Sequence, residues 1–91
     1  MRLRWTDAAL RDVGRIHNFL ARHSPNAGAA VAQRLHAAAD RLPDFPRIGM
    51  RLEQYGSQEV RRIIVDDYEL RYEIVGEVIS VVRVWHTRED R

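Results

Sequence analysis

Ninety-one residues with a formal net charge of +2 make one small domain, expected to occupy residues 1–91 around a single core. The sequence has no cysteine, which excludes a disulfide framework and thiolate metal sites, and no lysine, which excludes a Walker-type phosphate loop. Its first residues lack the apolar run of a signal peptide and no stretch is long enough to cross a bilayer, so a cytoplasmic protein with no membrane partner is expected.

In chain order, residues 1–5 alternate Met, Leu and Trp with Arg2 and Arg4 and read as a short strand. Thr6 is placed to cap a helix, with Asp7 in the first turn where the dipole favours an anion. Over residues 7–22 the apolar positions Ala9, Val13, Ile16 and Leu20 recur at helical spacing, flanked by Leu10 and Phe19. Gly14 costs about 1 kcal/mol against alanine in mid-helix, which predicts close packing there. Ser24 and Pro25 end this helix and open a second one as its cap and first residue. The second helix reaches about residue 42, with Gly28, Val31, Leu35, Ala38 and Leu42 on one stripe. The short break makes the two helices an antiparallel hairpin. Pro43 and Pro46 close it, Arg47-Ile-Gly49 turns the chain, residues 50–54 alternate as a strand, and Tyr55-Gly-Ser57 is a loop.

Three strands follow over residues 59–65, 68–75 and 78–86, joined by the two-residue connections Asp66-Asp67 and Gly76-Glu77. Tight turns at both set a register in which Ile63 faces Leu70, Leu70 faces Arg83, Tyr72 faces Val81, and Tyr68 faces Trp85. These side chains form the core face, covered by the helix hairpin. The opposite, mixed face carries Arg62, Ile64, Glu69, Arg71, Glu73, Val82, Val84 and His86. The fold class is α+β: a strand, a helix hairpin, then an antiparallel meander. Val13, Ile16, Leu20, Val31, Leu35, Leu70 and Tyr72 are expected among the most buried residues.

All fifteen basic residues are arginine, whose planar fork suits carboxylates and phosphates. A net charge of +2 gives no reason to expect sequence-specific nucleic-acid binding, and the scattered helix arginines fit a bias in codon usage. The histidines at 17, 23, 36 and 86 fall on different elements, and the His36–Asp40 pair alone is no metal site, so no metal or cofactor is expected. On the mixed face, Arg62 and Arg71 are cross-strand neighbours, with His86 and Arg88 at the end of the last strand. Such a group could hold a phosphodiester and shuttle protons. The competing reading is that Glu69 and Glu73 neutralise the same arginines as ordinary cross-strand ion pairs. Arg61 and Arg83 on the core face must reach the rim or meet a carboxylate. Alternatively they line an uncovered docking groove, with Trp85 and Tyr68 as anchors.

At Tyr68-Glu-Leu-Arg-Tyr72 the sequence resembles the RelE/ParE superfamily of bacterial type II toxins. The likeness extends over nearly the whole chain: Trp5 before Ala8-Ala-Leu10, the Ser24-Pro25 break, Leu42-Pro43, Pro46-Arg-Ile-Gly49, Val60-Arg61, and Val84-Trp-His-Thr-Arg88. The ribosome-dependent ribonucleases of the superfamily carry an arginine directly after the first tyrosine of the Tyr-x-Leu motif, where this chain has Glu69. The sequence keeps Arg62, His86 and Arg88 at comparable places and reaches Arg91 without a catalytic tyrosine.

The resemblance therefore implies the ParE branch: a toxin that inhibits DNA gyrase by binding and is neutralised by a ParD-type antitoxin. No catalytic residue is expected on that branch; on the ribonuclease alternative they would be Arg62, His86 and Arg88. An acidic antitoxin segment is expected to dock on Arg61, Arg83, Trp85 and Tyr68.

Overall fold

The computed structural model describes residues 1–89; the last two residues of the expected 1–91 domain lie outside the described residues. The elements are β1 (Arg2–Trp5), α1 (Asp7–Ala21), α2 (Pro25–Asp40), β2 (Met50–Arg51), a 3-10 turn (Glu53–Tyr55), β3 (Glu59–Val65), β4 (Tyr68–Val75) and β5 (Val78–His86). The strands form one sheet in the order β1-β5-β4-β3-β2, with the helix hairpin on one face.

Both caps are as expected. Thr6 Oγ1 accepts the Ala9 N–H at 3.1 Å, and Ser24 Oγ accepts the Ala27 N–H at 3.4 Å. Both hairpins have two-residue turns, and Asp66 and Gly76 take positive φ at their first turn positions. From β2 to β5 the sheet is antiparallel. β1 departs from the expected antiparallel sheet by running parallel to β5, from Arg2↔Val78 to Trp5↔Val81. That direction puts Leu3 and Trp5 on the core face and delivers the chain straight into α1, which packs over β5. The strand expected over residues 50–54 is limited to Met50–Arg51, because the chain coils into the 3-10 turn immediately afterwards.

The core lies between helices and sheet. Leu35, Leu42, Leu70, Tyr72, Ile79, Val81 and Val84 are wholly buried, as are Val13, Ile16 and Val31 nearly so; Leu20 is only partly buried. The Tyr72 hydroxyl donates to the Pro46 carbonyl at 2.8 Å and accepts the Gly49 N–H at 3.0 Å, tying the chain between α2 and β2 to the core. Burial pushes its phenol above the usual range.

Gly14 contradicts the expectation of close packing: it is exposed, and a methyl group there would meet nothing within 4 Å. The close approach is at Gly28, where a methyl group would come within 2.6 Å of the His17 carbonyl oxygen on α1. Gly14→Ala should therefore stabilise the fold by about 0.5–1 kcal/mol by restricting the unfolded chain. Gly28→Ala should destabilise it by about 1–3 kcal/mol by forcing the helices apart. Thermal unfolding of the two variants should show Tm moving in opposite directions.

Candidate functional site

The register along β5 determines what the sheet displays. It follows the expected pairing as far as Tyr72↔Val81 and then slips by one residue at a β-bulge, giving Arg71↔Arg83, Leu70↔Val84, Glu69↔Trp85 and Tyr68↔His86. Val82 is the extra residue, and its carbonyl accepts the Thr6 hydroxyl at 3.1 Å. Beyond the bulge every side chain changes face. Val84 and His86, expected on the mixed face, lie on the core side; Arg83 and Trp85, expected on the core side, lie outside. The slip buries Val84 completely and spares the fold an arginine wedged between Leu70 and α1.

The outer face thus gathers one row of Arg62, Arg71 and Arg83 and, beside it, Ile64, Glu69 and Trp85. Glu69 sits beneath the arginines with its side chain 0% exposed, gripped by Arg62 Nη1 at 3.1 Å and by the Arg71 guanidinium. Arg71 also donates to the Tyr55 hydroxyl at 2.8 Å, brought there by the 3-10 turn. The Arg71 and Arg83 guanidiniums each stand 4.8 Å from the centre of the Trp85 ring. Arg83 reaches past the free edge of β5 to Asp12 of α1 (Nε–Oδ2 2.7 Å), and the same oxygen accepts the Val84 N–H at 2.9 Å. Burial pushes the Asp12 carboxyl up, but hydrogen bonds from Arg83 and Val84 outweigh it and hold the carboxyl below its ordinary value. The same hydrogen bond raises Arg83 further above its already high value.

The other candidates are dispersed. His86 meets Tyr68 edge to face, with ring centres 5.3 Å apart, inside a cavity of about 330 Å³ that Arg15, Ile16, Phe19 and Glu89 complete. Its Nδ1 accepts the Arg88 N–H at 3.1 Å, while the Arg88 side chain is exposed. Arg62, His86 and Arg88 are therefore not one group: the first is on the outer face and the second is on the core side. Arg61 keeps its core-face register but lies at the rim, bonded to Glu59 at 2.8 Å and to the Gly49 carbonyl at 2.8 Å. Hydrogen bonds from Arg47 and Arg61 hold Glu59 below its ordinary value. Among the described residues no three His, Cys, Asp or Glu side chains meet in a way that could hold a metal, and no helix is long and apolar enough to cross a membrane.

Chemically, the outer face is a cationic, aromatic platform in which Glu69 and Asp12 offset two of the three charges of Arg62, Arg71 and Arg83. It presents guanidinium edges and an indole for binding, and its carboxylate, Glu69, is buried beneath the arginines. Sequence reasoning missed Asp12 and Tyr55. Asp12 carried a signal, since it interrupts the Ala9–Val13–Ile16 stripe and so had to be a carboxylate facing inward.

Three comparisons place this geometry among known proteins. A sequence model of the family described as "ParE toxin of type II toxin-antitoxin system, parDE" matches residues 3–91. Toxin RelE2 of Caulobacter vibrioides is 34% identical over 82 residues, spanning 90% of this chain and 90% of the relative. Toxin RelE1 of the same organism is 31% identical over 87 residues, spanning 91% and 89%. The fold is shared with a solved chain titled "Chromosomal ParDE TA system from P. aeruginosa", at TM-score 0.78 and 18% identity, covering 94% of this chain and 95% of that one.

Proposed function

This chain belongs to the ParE toxin family of type II toxin–antitoxin systems, and on that premise we propose that it acts on DNA gyrase by binding, without catalysis of its own, and is silenced by a ParD-type antitoxin. The observation that carries the reading is the burial of Glu69 between Arg62 and Arg71. Cleavage of RNA needs cations free to meet a developing phosphorane charge and a proton-transfer group beside them. Here a fixed carboxylate occupies the cations, and the histidine is on the other side of the sheet.

The second reading, a ribosome-dependent ribonuclease using Arg62, His86 and Arg88, draws on the RelE names of the two curated relatives. The two readings separate in a reconstituted assay with purified protein. Binding to gyrase should lower its supercoiling activity or trap its cleaved DNA. Site-specific cuts in ribosome-bound message that disappear in His86→Ala would establish the second reading instead.

The expected groove does not bring its four residues together, since Tyr68 is buried in the core and Arg61 lies at the opposite rim, so the antitoxin contacts proposed are Arg83 and Trp85 on the outer face. Trp85 supplies an aromatic anchor and Arg83 a guanidinium for a partner carboxylate. In a titration of the antitoxin, Trp85→Ala should cost about 2 kcal/mol or more, roughly thirtyfold in affinity. Wild-type affinity in both Trp85→Ala and Arg83→Ala, with folding verified by circular dichroism, would move the antitoxin to another surface.

A further inference from the structure

The cavity of about 330 Å³ between α1 and the end of β5 lies on the opposite side of the sheet from the arginine row. Its walls are Arg15, Ile16 and Phe19 of α1, Tyr68 and His86 at the ends of β4 and β5, and Glu89. Ligand sites usually enclose about 300–1,000 Å³, so this one suits a single ring with a short substituent. Ile16 and Phe19, the latter 56% exposed at the mouth, make one wall apolar.

Two hydrogen-bond donors on these walls have no partner. Tyr68 is 8% exposed, and among the described residues its ring meets His86 while its hydroxyl makes no hydrogen bond. No wholly buried side-chain oxygen or nitrogen among those residues lacks a partner, so the hydroxyl opens onto the cavity. A phenol buried to this extent ordinarily bonds through its O–H. His86 supplies the second donor. Its Nδ1 accepts the Arg88 N–H at 3.1 Å, which in the neutral ring places the proton on Nε2. Nε2 makes no hydrogen bond among the described residues, and the two rings stand 5.3 Å apart.

The charged groups of the cavity are matched to one another. Glu89 Oε1 accepts from Arg15 Nη1 at 3.3 Å and from the His86 N–H at 3.2 Å, and Arg15 Nη2 lies 3.5 Å from Asp12. A cationic ligand would have to displace Arg15 from Glu89. An anionic ligand would meet the carboxylates around the Tyr68 hydroxyl. Burial first, then Asp67, Glu89 and Asp66, push that phenol above its ordinary value, with Arg15 opposing them. What the cavity has to offer is a pair of donors and an apolar, aromatic wall.

We propose that this cavity binds a small uncharged aromatic compound bearing a carbonyl group. The carbonyl oxygen accepts from the Tyr68 hydroxyl and the His86 Nε2–H, and the ring lies against Ile16 and Phe19.

The test is an NMR titration of the full, isotope-labelled chain with benzamide, benzoate and benzamidinium, which share one ring and differ in charge. Expected are saturable shifts of the Ile16, Phe19, Tyr68 and His86 amides with benzamide, at least tenfold tighter than with either ion. Tyr68→Phe should weaken benzamide about fivefold or more. It should leave the unfolding midpoint in urea unchanged, because the hydroxyl bonds to nothing in the protein. Should Tyr68→Phe not fold, Phe19→Ala takes its place, since its ring is largely exposed and its loss removes a wall; the same fivefold loss is expected. Either ion binding as tightly as benzamide, or no saturation at millimolar benzamide, overturns the proposal. So do shifts that fall outside the cavity and binding unchanged in both variants. Sedimentation showing a dimer that Phe19→Ala dissolves would assign the cavity to a second copy of the chain and overturn it as well.

Discussion

Glu69→Ala is expected to cost about 3–5 kcal/mol, a large share of the roughly 5–15 kcal/mol that holds a domain of this size together. The carboxylate is completely buried, and removing it leaves Arg62 and Arg71 adjacent with Arg83 next in the row. The two partners differ in their escape. The Arg62 side chain is 36% exposed and can swing into water, whereas Arg71 is 13% exposed and pinned by Tyr55 and Trp85. The uncompensated charge is therefore mainly that of Arg71. Urea unfolding followed by circular dichroism measures the loss, and pairing Glu69→Met with Arg71→Met should recover most of it, because no charge is then left buried alone. A loss in Glu69→Ala below about 1 kcal/mol would show that the network is not structural. Placing an arginine at Glu69 should be worse than alanine, adding a cation where the site needs an anion.

The second large effect is at Asp12. Asp12→Ala leaves the Val84 N–H without its acceptor and Arg83 without its carboxylate, an expected loss of about 2–4 kcal/mol. Asp12→Asn should cost less, since an amide oxygen still accepts from Val84. The pH dependence gives the sign. The folded carboxyl lies below its ordinary value of 3.8, so the unfolded chain binds the proton more readily. The contribution of Asp12 is then complete above about pH 4 and is lost as pH falls through the folded value. The stability difference between wild type and Asp12→Asn should accordingly shrink below pH 4 and stay level from pH 5 to pH 7.

Much of this fold is legible in the sequence because each local signal has one physical answer. Thr6 and Ser24 can hardly do anything but cap, Pro25 suits only a first helical position, and Asp66-Asp67 and Gly76-Glu77 allow only tight turns. The outer face was harder to read because a one-residue bulge has no fixed sequence signature and inverts every side chain after it. Its trace was an arginine assigned to the core between Leu70 and Val81. A charge in that position signals a broken register as much as a docking groove, and the adjacent Val81 and Val82 supplied the residue to be looped out. The two apolar-face arginines then part company: Arg61 reaches the rim on its own face, and Arg83 reaches its carboxylate from the other. Gly14 was misjudged for a related reason. Propensity says what a mid-helix glycine costs and not which side of the helix it occupies.

On the proposed function the arginines of the outer face hold the fold together and bind a partner, and do not cleave. Its most direct measurement is controlled expression of the chain in bacterial cells without antitoxin, scoring the DNA-damage response against cleavage of ribosome-bound message in the same culture. The expected result is a DNA-damage response with intact messages, unchanged by His86→Ala. Cut messages without DNA damage, abolished by His86→Ala, would contradict it.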